Sequence, residues 1–267
     1  MAYEWQYFID IRATHKDPVK GAAWETAVRD MVMKIAKSDS GKVLLNSLKF
    51  HGRWVVIWPR DTRDNICSVP TWDKTGTTSS GRTYSAQINF SPGMWSPHSV
   101  CHKKYVTKGN DKGAAGDEII FHELVHAFRR SSSKRARVAT SGGLADYGSN
   151  EEFYAILATN IYSTDPTHTG RTGPRRDHAS FDPLEASLTG NFEFFQSSTN
   201  AFSMIDTFCK DNPGFTGALA KVKSTFNPFT AYYGDKKKAE ENSRTSQALV
   251  RDATGWGRAM WDMINPF

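Results

Sequence analysis

The sequence lacks several features that would place it in a familiar class of protein. No apolar run reaches the roughly 18 residues that a transmembrane helix needs, so the sequence predicts no membrane span. No internal repeat or long low-complexity tract occurs in its 267 residues. Its three cysteines, Cys67, Cys101 and Cys209, match no zinc-finger or redox spacing. One disulfide with a free thiol and three reduced thiols are both compatible with this pattern.

A cleavable signal peptide is also missing from the start of the chain. Residues 1–17 show no basic start followed by an apolar stretch. The sequence is therefore compatible with a cytoplasmic protein, with one that is secreted without a cleavable signal, and with a domain of a longer chain.

The charge balance is basic, with 34 Lys and Arg against 28 Asp and Glu, a net charge of +6. A basic surface favours acidic partners, but the chain shows none of the sequence signatures of common nucleic-acid-binding folds, so nucleic acid is not the favoured partner. Five basic residues lie just after the central motif: Arg129, Arg130, Lys134, Arg135 and Arg137. They predict either a surface that steers an anionic substrate or a solvated loop.

Hydrophobic periodicity predicts an α+β fold with a mixed sheet. Strands are expected over residues 3–13, 52–59 and 85–90, and helices over 22–37, 117–130 and 151–162, with Asn150 as the cap of the last helix and mostly helix over 183–264. The length of 267 residues is ample for a buried core, and the 39% of hydrophobic residues is typical of a globular protein. We expect a single domain over 1–267, with a strand-containing half (1–130) and a helical half (131–267).

The central motif is HELVH at residues 122–126. On a helix, residues i and i+4 lie on the same face, so both imidazoles of His122 and His126 can reach one metal ion. Glu123 lies beside them, where a carboxylate can act on a metal-bound water. Neutral imidazole suits Zn²⁺. Surface histidines on an amphipathic helix are the alternative, but the apolar residues around the motif favour a buried helix.

A third metal ligand is expected from another helix. The best segment is 148–155, which contains the adjacent carboxylates Glu151 and Glu152. Acidic residues are also favoured at a helix N-terminus without any metal, because they interact with the helix dipole. The residues alone do not choose between the two glutamates.

Residues 122–127 (HELVHA) with the later 150–155 (NEEFYA) resemble the zincin metallopeptidases of the gluzincin branch, whose third ligand is a glutamate. They are also similar to clostridial neurotoxin light chains. A further similarity is to bacterial effector proteases of type III and type VI secretion, including metallopeptidase domains attached to VgrG-type spike proteins. The resemblance covers residues 117–162. It implies a zinc endopeptidase that acts as a secreted toxin or effector. The partners implied are a protein or peptide substrate and an immunity or secretion-apparatus protein.

The resemblance also implies roles for individual residues. His122 and His126 match the metal histidines, and Glu123 matches the general base. Glu152 matches the third ligand, because many zincins have a small residue three positions after that glutamate.

Two other third ligands stay open at this stage. Glu151 would match the asparagine–glutamate pair of thermolysin-like enzymes, and Asp146 is similar to the aspartate ligand of deuterolysin-like enzymes, though its spacing differs. A third histidine of the metzincin type does not follow His126.

Two further elements of zincins are expected. The strand before the motif helix, residues 85–90, would be the edge strand that binds the substrate backbone. The donor to the oxyanion remains open among Tyr147, Tyr154, His168, His178, Tyr232 and Tyr233. The alternative functions are a zinc amidohydrolase acting on cell-wall peptides and a basic nucleic-acid-binding module with an incidental motif.

Overall fold

The computed structural model has an α+β fold, as the sequence predicts. It describes residues 2–5, 8–13, 18–52, 54–60, 67, 69–96, 99–106, 112–131, 147–175 and 199–237. A mixed sheet from the first third of the chain packs against helices, and the described residues beyond 147 are mainly helical.

The sheet has six strands: β1 (Ala2–Trp5), β2 (Ile9–Arg12), β3 (Trp54–Pro59), β4 (Thr71–Trp72), β5 (Gly76–Thr77) and β6 (Thr83–Phe90). Their order is β1-β2-β3-β6-β4, and β5 also pairs with β6. The three inner strands β2, β3 and β6 run parallel to each other. The outer strands β1, β4 and β5 are antiparallel to their neighbours.

Two of the strand predictions need correction. In place of the single strand expected over residues 3–13, the structure has two antiparallel strands, β1 and β2. Phe8, just before β2, has a positive φ of 68°, which a continuous strand does not allow. The strand expected at 85–90 is confirmed within β6, but it does not form the edge of the sheet. It pairs with β3 on one side and with β4 and β5 on the other, so the two short strands β4 and β5 are the outermost at this end.

The helices are α1 (Pro18–Lys37), α2 (Asp39–Phe50), α3 (Pro92–Trp95), α4 (Val100–Val106), α5 (Gly116–Ser131), α6 (Asn150–Thr164), α7 (Thr199–Asp211) and α8 (Pro213–Leu219). Residues 228–237 are helical as well. The helix predictions at 22–37, 117–130 and 151–162 are confirmed. Helix α2 was not predicted from the sequence, and the Ser38 side chain caps it by accepting from the backbone of Gly41. Among the described residues, no helix combines the length and the apolar character that a membrane span requires.

The motif helix α5 lies in the interior of the fold. It packs against the sheet strand β6 and against helices α1, α2 and α6. Its apolar side chains, Ile120, Phe121, Leu124 and Val125, are fully buried, and residues 151–164 of α6 are buried throughout. Every polar side chain at the α5–α6 interface must therefore find a partner inside the protein, because burial without one is costly.

A disulfide joins Cys67 to Cys101, and Cys209 is a buried free thiol. The bridge connects the segment before β4 to helix α4. The alternative left open by the cysteine pattern is thereby decided in favour of one disulfide and one free cysteine.

Candidate metal centre

Three side chains converge at the interface between α5 and α6. The Nε2 atoms of His122 and His126 lie 3.2 Å apart. The Oε2 atom of Glu152 lies 3.1 Å from the first and 3.0 Å from the second. All three residues are buried, and they form the one potential metal-binding cluster of three or more ligands within the described part of the chain.

This triangle of atoms fits a metal ion better than it fits a set of hydrogen bonds. Each Nε2 atom either carries a proton or presents a single lone pair. The two histidines hold the pKa of Glu152 low, so its carboxylate is ionised. Any placement of protons on the two Nε2 atoms then leaves at least one of the three contacts between two N–H groups or two lone pairs. A cation at the centre removes the conflict by accepting all three lone pairs. Ligands of a tetrahedral zinc ion with bonds of about 2.0–2.2 Å would lie about 3.3–3.6 Å apart, a few tenths of an ångström from the distances here.

The two candidate glutamates have separate environments. Glu152 faces the histidines, whereas the carboxylate of Glu151 accepts from Arg129 Nη2 at 2.7 Å and from Arg129 Nε at 3.1 Å. The Arg129 guanidinium also lies over the rings of Tyr154 and Phe208, at 4.6 and 5.0 Å from their centroids. The geometry therefore favours Glu152 over Glu151 as the third ligand.

The start of α6 sets this division. The helix cap is Ser149, whose hydroxyl accepts from the backbone N–H of Glu152, and the prediction of Asn150 as cap is wrong by one residue. Starting the helix here turns Glu152 toward α5 at the level of His126. Asp146, the other alternative ligand, lies outside the described residues.

The general-base candidate Glu123 is buried next to this cluster. Its Oε2 accepts a hydrogen bond from the hydroxyl of Thr71 on the outer strand β4 at 2.5 Å. Burial raises the pKa of Glu123 to about 7, and the nearby carboxylate of Glu152 acts in the same direction. The charge of His126 and the hydrogen bond from Thr71 oppose this shift.

The ring of His122 has polar neighbours at its outer nitrogen too. Its Nδ1 lies 3.0 Å from Nη2 of Arg175 and 3.4 Å from Oγ1 of Thr159. Burial holds the pKa of His122 well below its usual value, and the charge of Arg175 lowers it further.

The pKa of Glu152 is lowered although burial opposes this, because both histidines bond to its carboxylate. A neutral imidazole and an ionised carboxylate are the forms that bind a metal ion. Among the described residues, Nδ1 of His126 has no hydrogen-bond partner.

A second polar cluster lies one and a half turns earlier on α5. Asp117 accepts from the hydroxyl of Tyr162 at 2.8 Å and contacts Nε2 of His168 at 2.7 Å, and Nζ of Lys34 lies 3.5 Å away. The ring of Tyr162 stacks between those of Phe121 and His168. These contacts hold the pKa of Asp117 below its usual value even though burial raises it.

The candidate oxyanion donors have other contacts in the structure. His168 contacts Asp117, the hydroxyl of Tyr232 donates to Asp206, and the hydroxyl of Tyr233 bonds to that of Thr216. The rings of Tyr154 and Tyr147 pack on Phe208 and Phe153, respectively. His178 lies outside the described residues, and the oxyanion donor stays unassigned.

The basic run after the motif does not behave as one surface. Arg129 is buried in its pair with Glu151, so the prediction of a steering surface or a solvated loop is wrong for this residue. Arg130 bonds to Asp73 just after β4, with its side chain mostly covered. Lys134, Arg135 and Arg137 lie outside the described residues.

Sequence reasoning missed three residues that contact the site: Thr71, Thr159 and Arg175. Thr159 is seven positions after Glu152, two helical turns, and this spacing was a usable signal for a shared face. Thr71 and Arg175 come from irregular or short elements, where no periodicity points to them.

Compared with family models, with curated proteins and with solved structures, the chain has no match. A conclusion about function must therefore come from the geometry and chemistry of the site itself.

Proposed function

We propose that this chain is a zinc-dependent endopeptidase of the zincin type. The observation that carries the proposal is the convergence of His122, His126 and Glu152 within 3.0–3.2 Å, with the carboxylate of Glu123 on the adjacent position of the same helix. Two imidazoles and one carboxylate leave one tetrahedral position for water or substrate, which is the arrangement of catalytic rather than structural zinc sites.

Zinc is the metal that this donor set suits best. Imidazole nitrogen is a good ligand for zinc and other late transition metals, whereas magnesium and calcium prefer sites made only of oxygen ligands. The chain supplies two nitrogen atoms and one oxygen atom at the centre of the cluster. The absence of a cysteine from the cluster also distinguishes it from most structural zinc sites.

The residues around the cluster fit the steps of amide hydrolysis. A bound zinc ion supplies Lewis-acid chemistry and lowers the pKa of its water to about 7. Glu123 would take the proton of the attacking water and deliver it to the leaving amine. The hydroxyl of Thr71 fixes one oxygen of that carboxylate, which leaves the other oxygen for the water.

The outer strand β4 supports a peptide as the substrate. Thr71 contacts Glu123, and β4 lies with β5 on the outer side of β6 in the described sheet. An extended peptide can add to such a strand through main-chain hydrogen bonds. Trp72 on the same strand is about half exposed and offers an apolar surface for a substrate side chain. We therefore propose β4, instead of β6, as the substrate-binding strand.

The first test is zinc content by elemental analysis, together with hydrolysis of denatured casein and of a mixed peptide library. The wild type is expected to hold one zinc ion per chain and to cleave peptides. His122→Ala should lose both properties, whereas Glu123→Gln should keep zinc and lose cleavage. His102→Ala changes a half-buried histidine on α4 and serves as the matched control, with both properties kept.

Two results would overturn the proposal. A wild type that binds no zinc after reconstitution excludes a zinc enzyme. A zinc-loaded wild type that leaves the whole library uncleaved excludes a peptidase, and release of fragments from peptidoglycan would then point to the cell-wall amidohydrolase. The role as a secreted toxin or effector, with an immunity or secretion-apparatus partner, stays a prediction from the sequence resemblance.

A further inference from the structure

The outer nitrogen of His122 has an unusual neighbour for a metal ligand. Nη2 of Arg175 lies 3.0 Å from Nδ1 of His122, and Arg175 is only 1% exposed. Its backbone is held on both sides by Asn160, which accepts from the Arg175 N–H at 3.0 Å and donates to its carbonyl at 2.8 Å. The guanidinium is therefore directed at the imidazole by a fixed stretch of chain.

A guanidinium group can donate hydrogen bonds but cannot accept them. The Nδ1 atom next to Arg175 must then be the acceptor, and a neutral His122 carries its proton on Nε2. That Nε2 atom faces Glu152 at 3.1 Å, where the N–H can donate to the carboxylate. This tautomer gives both ring nitrogens of His122 a hydrogen-bond partner in the metal-free protein.

A metal ion requires the opposite tautomer. Ligation through Nε2 needs its lone pair, so the proton must be on Nδ1 and must find an acceptor there. Thr159 provides one, because its Oγ1 lies 3.4 Å from Nδ1 and donates its own proton to the carbonyl of Ala155 at 2.7 Å. Two residues thus compete at one nitrogen, and each of them favours a different state of the site.

We propose that Arg175 is a positioning residue that limits metal affinity. It holds His122 in the tautomer that carries the proton on Nε2. An ion binds when the ring carries its proton on Nδ1 instead and donates it to Thr159. The inference rests on the proposed function, because it takes His122 as a metal ligand. The positive charge of Arg175 beside a ligand adds to the effect, since it repels a cation through a poorly screened interior.

The same residue couples the metal to the segment after α6. Thr172 donates to Glu118 on α5 through both its backbone N–H (3.1 Å) and its hydroxyl (2.8 Å). When the ion binds, the Arg175 side chain must move away from Nδ1. This movement affects the segment that contains Thr172, which is hydrogen-bonded to α5. By linkage, metal binding weakens the contact between Arg175 and His122 by the same factor by which loss of that contact raises metal affinity.

The first measurement uses the wild type and needs no substitution. Long-range proton–nitrogen correlation spectra of the histidine rings, with His122→Gln for assignment, report which ring nitrogen carries the proton. We expect Nε2–H at His122 in the metal-free protein and Nδ1–H after one equivalent of zinc. A metal-free His122 with its proton on Nδ1 would overturn the proposal.

The second measurement is zinc affinity, determined by competition with a chromophoric chelator. Arg175→Met should bind zinc more tightly by about tenfold or more, and Thr159→Val less tightly by about tenfold, as is typical of residues that contact metal ligands. Thr159→Ser keeps the hydroxyl and should restore wild-type affinity. Arg175→Lys keeps the positive charge and should stay closer to wild type than Arg175→Met.

The outcomes separate this inference from the proposed function. A wild type that binds no zinc contradicts the proposed function. A wild type that binds zinc, with equal or weaker binding by a folded Arg175→Met, contradicts the inference alone. Thermal unfolding of each variant shows whether it is folded, and if Arg175→Met is not, the ring spectra of the wild type decide.

Discussion

Three polar layers cross the same helix pair, and in only one of them do the contacts conflict. We define them as the aspartate layer (Asp117, Tyr162, His168), the histidine layer (His122, His126, Glu152) and the arginine layer (Arg129, Glu151). The residue numbers rise along α5 as they fall along α6, so the two helices are antiparallel and the layers follow one another along their interface.

In the outer two layers, the carboxylate is matched by donors from its own layer. In the arginine layer a guanidinium and a carboxylate neutralise each other through paired hydrogen bonds. In the aspartate layer, Asp117 receives a phenol hydroxyl and an imidazole and has Lys34 nearby. The histidine layer contains the same kinds of group at similar burial, but its three contacts cannot all be satisfied by protons. A metal ion at the histidine layer, as proposed, would remove this conflict.

The largest effect is expected where the comparison is most direct, at the adjacent glutamates. Glu151→Gln leaves the charge of Arg129 buried without its counterion and should lower the free energy of unfolding by about 3–5 kcal/mol. Zinc binding should persist in the variant, since Glu151 does not face the histidines. Urea unfolding of the metal-free protein measures the loss of stability, and zinc titration measures whether binding is kept. An Arg129→Met/Glu151→Leu double variant, which removes both charges, should recover most of the stability. A double variant as unstable as Glu151→Gln would argue against this explanation.

The next effect separates the histidine layer by its response to metal. Free zinc at 100 times its dissociation constant should stabilise the wild type by about 2.7 kcal/mol, because the ion binds the folded chain. Glu152→Gln should lose most of this gain, whereas Glu151→Gln should keep it. Thermal unfolding with and without zinc gives the comparison. Equal gains in both variants would show that Glu152 is not the third ligand.

A smaller effect is expected in the aspartate layer. Tyr162→Phe removes a buried hydrogen bond to the charged Asp117 and should cost about 2 kcal/mol, while the ring stacking on Phe121 and His168 remains. Tyr232→Phe is the matched control, because its hydroxyl also donates to a carboxylate, that of Asp206, whose side chain is 28% exposed. Urea unfolding should show the smaller loss for the control. A reversed order would mean that burial does not set the strength of these bonds.

The smallest effect tests the exposed edge of the same layer. Lys34→Met removes a cation that lies 3.5 Å from Asp117 but is 47% exposed. Solvent screens such a pair, so the free energy of unfolding should fall by less than about 1 kcal/mol. A loss as large as that of Tyr162→Phe would show that Lys34, rather than the phenol and the imidazole, neutralises Asp117.

How far the sequence could lead depended on whether a residue lies in a regular element. The apolar pattern around residues 117–130 gives a buried helix, and the four-residue spacing of His122 and His126 then places both rings on one face. The position of Glu152 depends on where α6 begins, and a shift of one residue in its cap rotates the helix by about 100°. Asn150 and Ser149 are both good caps; the sequence pattern predicts Asn150, whereas Ser149 caps the helix.

Other parts of the site had no periodic signal at all. Arg129 looked like the first of several solvated charges, and only the approach of α6 shows that Glu151 neutralises it. Thr71 reaches Glu123 because β4 pairs antiparallel to β6, a contact between residues 52 positions apart. The hairpin at Phe8 and the pairing of Cys67 with Cys101 likewise depend on contacts or backbone angles that composition does not encode.

The sequence by itself determined the α+β class, the motif helix and two of the three candidate ligands, because these follow from short-range periodicity along one chain segment. The tertiary structure decided the rest: which glutamate meets the histidines, which strand lies beside Glu123, and which cation faces the outer nitrogen of His122. The physical reason is that the role of a buried polar atom depends on its hydrogen-bond partner, and that partner comes from a distant part of the chain.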